Sequence, residues 1–133
     1  MKTYLTRQQI IEDIVSKLTD QDIADLKTLQ ESDMIKFHHG VGTFIRNTYG
    51  LWERGNPLTQ LWIIDNEAGN TEFVKNGVDY HPCHPDEVSM QILVGVWKSV
   101  NGQGPSDIEI TKEEIEEERR RENVRRDLKK AMK

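Results

Sequence analysis

Apolar residues recur every three or four positions along much of the first hundred residues. Between Leu5 and Leu18 this spacing predicts an amphipathic helix, with Thr6 as its N-cap. A second, shorter helix is predicted to begin at Thr19–Asp20, and a third at Ser32–Asp33. The pattern therefore favours a mainly α protein.

The third predicted helix carries the widest apolar face. With a rotation of about 100° per residue, its apolar and aromatic residues span about 140°, and Val41 lies near the centre. Replacing Val41 by Asp should therefore unfold the domain. Gly40 and Gly42 flank this face, and since glycine weakens a helix interior, we expect another backbone to approach closely there. The face comprises Met34, Phe37, His38, Val41, Phe44, Ile45, Thr48, Tyr49 and Trp52.

The chain beyond this helix alternates between turns and further helices. Gly50 is predicted to end the third helix, and a short helix is predicted within residues 58–63. Residues 65–77 are polar and contain glycines, which favours a loop. The last core helix is predicted to begin with His84 as N-cap and Pro85 in its first turn.

Charge separates the C-terminal part of the chain from the rest. Residues 111–133 hold nine Lys/Arg and seven Asp/Glu, a net +2, whereas residues 1–110 carry −7. Acidic residues come first and basic residues follow, which predicts one long helix capped near Ser106–Asp107 or by Thr111. Val124, Leu128 and Met132 form a thin apolar stripe along it.

The expected architecture is a compact multi-helix orthogonal bundle with a long, charged C-terminal helix. Residues 1–104 would form the helical core domain and residues 105–133 the charged helical tail.

Composition narrows the class of protein. The 133 residues carry a net charge of −5, which does not favour a nucleic-acid-binding surface, and the single Cys excludes a disulfide framework within the chain. No apolar run approaches the ~18 residues that span a membrane, and the N-terminal residues lack the apolar core of a signal peptide. We therefore expect a cytoplasmic protein that does not insert into a membrane.

Two sequence blocks resemble a known family. Residues 38–52 fit the pattern H-x-G-x-G-x-aromatic-I-R-N-x-aromatic-G-L-W, and residues 84–93 fit H-P-D-acid-x-S-x-x-I-L. Together they resemble a small bacterial and phage domain family of unknown function, over about residues 33–100. The resemblance implies a compact, mostly helical domain and no particular activity.

Arg46 and Asn47, in the first block, are the leading candidates for a binding site. Arg46 could form a structural ion pair with Asp86 or Glu87 at the start of the last core helix. Alternatively, Arg46 and the N-terminus of that helix could converge on a small anion. Both interpretations place Arg46 within hydrogen-bonding reach of residues 81–87. The residues of an anion pocket would be His39, Arg46, Asn47, His84 and Asp86.

Other reactive side chains give weaker signals. His81, Cys83 and His84, with His38 or His39 elsewhere, are zinc-ligand types, but their spacing does not match a known zinc motif. The sequence contains no nucleophile elbow or phosphate-binding loop, so no catalytic residue, metal or cofactor is expected.

The sequence therefore favours a non-enzymatic helical protein-interaction module. Its 111–133 helix would contact a protein partner or a second copy of the chain. The alternative is a protein that binds a small, nucleotide-like anion, or a minor enzyme, with a pocket around Arg46 and His84.

Overall fold

The computed structural model describes residues 4–103 and 110–132. Within these residues the chain forms six α-helices, one 3₁₀ helix and a two-stranded antiparallel hairpin. In chain order they are α1 (Arg7–Lys17), α2 (Asp20–Lys27), the 3₁₀ helix (Glu31–Phe37), α3 (Val41–Thr48), α4 (Gln60–Glu67), β1 (Val74–Lys75), β2 (Val78–Asp79), α5 (Pro85–Val100) and α6 (Lys112–Ala131). The predicted mainly α bundle with a long C-terminal helix is confirmed.

Helix α5 lies at the centre of the main core. α1, α2, the 3₁₀ helix and α3 all pack against it, and Val88, Ile92 and Val96 are buried along its length. Ile10 of α1 and Ile45 of α3 join the same apolar cluster. Each such side chain stabilises the fold by about 1.5–3 kcal/mol when it is fully buried.

Three predicted helix starts are confirmed in detail. Thr6 accepts a hydrogen bond from the Gln9 N–H at 3.1 Å, and Thr19 caps α2. His84 caps α5, with its Nδ1 accepting from the Asp86 N–H at 3.0 Å, and Pro85 occupies the first turn. These caps supply acceptors for N–H groups that have no partner inside the helix.

The prediction for the third helix is wrong about the residue at which it begins, about its being one continuous helix, and about which face is buried. Asp33 is not the cap; its carboxylate accepts from the Gln30 N–H at 2.8 Å, in the first turn of the 3₁₀ helix. That helix ends at Phe37 and α3 begins only at Val41. A 3₁₀ helix turns more tightly than an α-helix, so a single projection cannot describe both segments. Val41 is consequently 41% exposed rather than central to the core.

Of the two glycines in this segment, only Gly42 meets close neighbours. A Cβ on Gly42 would lie 3.0 Å from Nη1 of Arg46 and 3.2 Å from Nδ1 of His38. A Cβ on Gly40 would have no heavy atom within 4 Å. The predicted close approach is therefore made by side chains, and at Gly42 alone.

Gly50 ends α3 as predicted. Its φ of 61° is a left-handed conformation that favours glycine. The N–H of Leu51 then donates to the carbonyl of Arg46 at 3.0 Å, which turns the chain back and buries Leu51 in the main core.

The segment predicted as a loop, residues 65–77, is more ordered than expected. α4 continues to Glu67, and β1 and β2 form a hairpin through Asn76 and Gly77. Both turn residues have positive φ values, 52° and 77°, as a tight hairpin turn requires.

Helix α6 begins as predicted, because Thr111 accepts from the Glu114 N–H at 3.2 Å. The alternative start at Ser106–Asp107 lies outside the described residues. Most of α6 is exposed, but Ile115 is buried in a second small core cluster with Phe73 and Cys83. No helix in the described part of the chain is both long enough and apolar enough to cross a membrane.

Candidate functional site

Arg46 lies where the two sequence blocks meet. Its Nη1 donates to Ser89 Oγ of α5 at 2.9 Å, and its Nη2 donates to Thr43 Oγ1 at 2.9 Å. Its Nε lies 3.4 Å from Oδ1 of Asp86. The prediction that Arg46 contacts residues 81–87 is confirmed, and every nitrogen of its guanidinium has a partner within the chain.

The five predicted pocket residues do not share one set of contacts. Arg46, His84 and Asp86 lie together, with His84 Nδ1 3.9 Å from Oδ2 of Asp86. His39 and Asn47 are exposed, and the described hydrogen bonds and ion pairs of Arg46 include neither of them. The geometry thus supports the structural interpretation of Arg46, in which the guanidinium ties α3 to the start of α5.

A second polar network joins α6 to the rest of the fold. Nη2 of Arg119 lies 2.6 Å from Oδ1 of Asp65, and Nε2 of His81 lies 2.8 Å from Oδ2 of the same carboxylate. Nδ1 of His81 accepts from the Cys83 N–H at 3.0 Å, so we assign the imidazole proton to Nε2. Further along α6, Arg126 donates to backbone carbonyls of residues 71, 72 and 74.

Burial and hydrogen bonding together shift the pKa values in this network. Burial lowers the pKa of His81 below its ordinary value, against the opposing effect of the Asp65 carboxylate. Burial alone would raise the pKa of Asp65, but hydrogen bonds from His81 and Arg119 outweigh it and the pKa is lowered. At neutral pH the network therefore holds a neutral imidazole between a backbone N–H and a carboxylate.

Side chains of the types that bind metal ions do not form a metal site in the part of the chain that the structure describes. No group of three or more His, Cys, Asp or Glu side chains there could hold an ion. Cys83 is buried, and Nη2 of Arg7 lies 3.9 Å from its sulfur.

An apolar groove of about 350 Å³ opens on the side of the bundle formed by α1, α2, the 3₁₀ helix, α3 and α5. Phe37, Val41 and Phe44 line it and remain exposed, Phe44 by 62%. Buried core side chains such as Met34 and Ile45 form its floor. The full lining comprises Ile14, Leu18, Asp22, Asp25, Leu26, Leu29, Met34, Phe37, Val41, Phe44, Ile45, Leu93 and Val96.

The polar residues in the lining of the groove are two acids of α2, Asp22 and Asp25. Hydrogen bonds from the backbone and hydroxyl of Thr19 lower the pKa of Asp22, so this carboxylate is ionised at neutral pH. Two lysines next to lining residues in sequence are paired, because Lys17 lies 2.9 Å from Asp13 and Lys36 lies 3.4 Å from Asp33, whereas Lys27 at the end of α2 has no ion pair among the described residues. The groove is therefore an apolar surface with an acidic rim.

The apolar spacing predicted that Phe37, Val41 and Phe44 are buried in the core, so the groove was not expected. The useful signal was the spacing of Gly40 and Gly42, because two glycines so close together make a break between helices more favourable than one continuous helix.

A larger cleft of about 880 Å³ lies between the hairpin and α6. Its walls mix aromatic residues, glutamates of α6 and the cations Lys75 and Arg121. It also adjoins Ile110, next to residues 104–109, which the structure does not describe. The apolar groove is therefore the better-defined candidate site.

Comparison with protein families gives a match over most of the chain. The model of a family described as "Domain of unknown function (DUF6794)" matches residues 8–100. The chain belongs to this family. The DUF6794 match spans α1 to α5 and includes every residue that lines the groove, whereas α6 lies outside it. The N-terminal helices, which the resemblance left out, are thus part of the family domain.

Neither the curated proteins nor the solved structures contain a match to this chain.

Proposed function

We propose that this DUF6794 protein is a non-enzymatic protein-interaction module whose apolar groove receives an amphipathic helix. The observation that carries the proposal is the exposure of Phe37, Val41 and Phe44 around one continuous groove. Contiguous exposed apolar surface is uncommon on soluble monomers and typically marks a binding site. We also propose that the protein is cytoplasmic and comes from a bacterium or a phage.

The shape and chemistry of the groove suit a helix. Helix-binding grooves accept apolar side chains spaced three or four residues apart, and polar rims fix the orientation of the bound helix. Here the walls are aliphatic and aromatic side chains, and the acidic rim on α2 would favour a helix with basic flanks. Burying the part of Phe44 that is exposed would favour binding by at most about 1–2 kcal/mol.

The alternative, a small-anion site around Arg46 and His84, has less support. An anion would have to displace Asp86, Ser89 and Thr43 from the guanidinium. The lining of the groove and of the larger cleft includes neither Arg46 nor His84.

Affinity capture with matched variants tests the proposal. A tagged full chain is expressed in its host, purified gently and examined by native mass spectrometry, alongside Phe44→Asp and Ile64→Asp. Ile64 is 51% exposed on α4, away from the groove lining, so Ile64→Asp controls for a new surface charge. Circular dichroism confirms that both variants are folded.

The proposal predicts a bound polypeptide, either another protein or a second copy, that Phe44→Asp loses and Ile64→Asp keeps. Equal capture by all three chains would contradict it. A co-purified small anion lost on Arg46→Lys, with no bound polypeptide, would favour the alternative.

A further inference from the structure

The C-terminal half of α6 carries an apolar surface that its own chain leaves uncovered. Val124, Leu128 and Met132 are exposed, Leu128 by 58%. With about 100° per residue, the centre of this stripe lies about 140° from the face of α6 that holds Ile115, Glu122 and Arg126. The stripe therefore points away from the body on which α6 packs.

The inner face of α6 is firmly attached to the segment before the hairpin. Arg119 pairs with Asp65 at 2.6 Å, and Arg126 donates to the carbonyls of Thr71 and Glu72 at 2.9 and 2.7 Å. Turning the stripe toward the groove of the same chain would break these contacts. A second chain is thus the simpler way to cover both surfaces.

The stripe and the groove are complementary in charge as well as in polarity. Arg125 and the exposed Lys129 lie along one flank of the stripe, and Asp127 lies along the other. Arg125 is already paired with two glutamates of α6, so Lys129 is the main cation on that flank. The groove presents apolar walls with Asp22 and Asp25 at the rim. An apolar helix face with one basic flank matches an apolar groove whose rim on α2 is acidic.

We propose that the groove binds the Val124–Leu128–Met132 stripe of a second copy of this chain. In the resulting dimer, each α6 stays attached to its own chain and places its stripe in the groove of the other. The inference rests on the proposed function, for which it names the partner. This two-fold arrangement covers both grooves and both stripes at once, so neither surface remains free to bind a third chain and extend a filament.

Light scattering of the purified full chain over a range of concentrations provides the test. The expected mass is twice the chain mass of 15.5 kDa. Phe44→Asp damages only the groove and Leu128→Asp only the stripe, and both residues are exposed enough to be replaced without unfolding. Each variant alone should dimerise about tenfold more weakly or worse, while Ile64→Asp should dimerise like the wild type.

Mixing the two damaged chains is the decisive step. In an equimolar mixture, the intact stripe of the Phe44→Asp chain can enter the intact groove of the Leu128→Asp chain. An aspartate in an apolar contact should remove that contact, so either variant alone keeps no intact contact whereas the mixed dimer keeps one of its two. The mixture should therefore associate more tightly than either variant alone. If the dimer were held groove to groove, mixing would not restore affinity. If Leu128→Asp left the dimer unchanged, α6 would not be part of the interface. Either result overturns the inference.

A chain that stays monomeric would also overturn the inference, and the capture experiment then separates the two proposals. Phe44-dependent capture of a different protein would leave the proposed function standing. A monomer that captures nothing would contradict both.

Discussion

The guanidinium of Arg46 joins α3 to the start of α5 through Thr43, Ser89 and Asp86. Its side chain is only 11% exposed, and its hydrogen bond to the buried Ser89 is sheltered from competing water, whereas Thr43 and Asp86 are exposed. Charge-assisted hydrogen bonds in such surroundings are stronger than those on an open surface. One residue of the first sequence block thus fixes the position of the second.

Arg46→Lys should destabilise the protein although it keeps the positive charge. A lysine ammonium cannot reach three acceptors with the geometry of the planar fork, and we expect a loss of about 1–2 kcal/mol in the free energy of unfolding. Arg54→Lys is the matched control, because Arg54 is 77% exposed and pairs only with Glu67 at the surface. That change should cost less than about 0.5 kcal/mol in urea denaturation. Equal effects at both positions would contradict a structural role for Arg46.

Val41 and Ile45 test the orientation of α3. Val41 lies in the first turn of the helix and is 41% exposed, whereas Ile45 is 1% exposed. Val41→Asp should change the free energy of unfolding by less than about 1 kcal/mol, because an acid near a helix N-terminus is favourable. Ile45→Asp should cost more than about 4 kcal/mol or prevent folding, because it buries a charge without a partner. Thermal unfolding, monitored by circular dichroism, measures both losses of stability. A larger loss for Val41→Asp than for Ile45→Asp would mean that α3 buries the opposite face.

At the scale of elements, His81 makes the stability of the network that includes α6 depend on pH, because it shares the Asp65 carboxylate with Arg119 of α6. The folded-state pKa of His81 lies below the ordinary value of 6.5, so below about pH 6.5 the unfolded chain binds a proton that the folded chain does not. Stability should therefore fall as the pH is lowered from 6.5. Asp65, whose folded pKa is also lowered, would add to this loss only at lower pH, near and below its ordinary value of 3.8.

His81→Gln should flatten the pH dependence of the melting temperature between about pH 7 and about pH 5. Glutamine can still donate to Asp65 but does not titrate. The wild type should melt at a lower temperature at pH 5 than at pH 7, and the variant should show a smaller difference. An unchanged slope in the variant would mean that other groups govern the acid sensitivity.

Truncation after Gly104 tests the predicted division of the chain. Among residues 4–103 and 110–132 the main core cluster contains none beyond Trp97, so residues 1–104 should still unfold cooperatively. They should melt at a lower temperature than the full chain, because Phe73 and Cys83 lose Ile115 and Asp65 loses Arg119. Absence of a cooperative transition in calorimetry would place α6 within the folding unit.

Helices with clear caps and regular apolar spacing were predictable from sequence, as α1, α2, α5 and α6 show. The hairpin was also predictable, because Asn76-Gly77 is a strong turn signal, but the polar residues around it favoured a loop. The 3₁₀ helix was not predictable, because short 3₁₀ segments have no sequence periodicity of their own. A contact of Arg46 with residues 81–87, through Asp86 or Glu87, was predicted because the two sequence blocks must share one core, and the structure places Asp86 at that contact.

At the scale of the whole molecule, the glycine spacing could have indicated a break between helices, but not the groove itself. The groove is formed by side chains of α1, α2, the 3₁₀ helix, α3 and α5, which are far apart in sequence. The same apolar residues that suggested a buried face are those that line it. The thin stripe on α6 was predicted, but its counterpart became visible only when the chain was folded.

The most direct test of the interaction account is site-specific crosslinking from the groove. Phe44 is replaced by a photoreactive phenylalanine analogue in the full chain, and Ile64, similarly exposed on α4, is replaced in a control. After irradiation in the host cell, we expect position 44 to form a covalent complex with another polypeptide, and mass spectrometry should map the crosslink to an amphipathic helix. Position 64 should give little or none. Equal yields at both positions, or no protein product from position 44, would contradict the claim that the groove is an interaction surface.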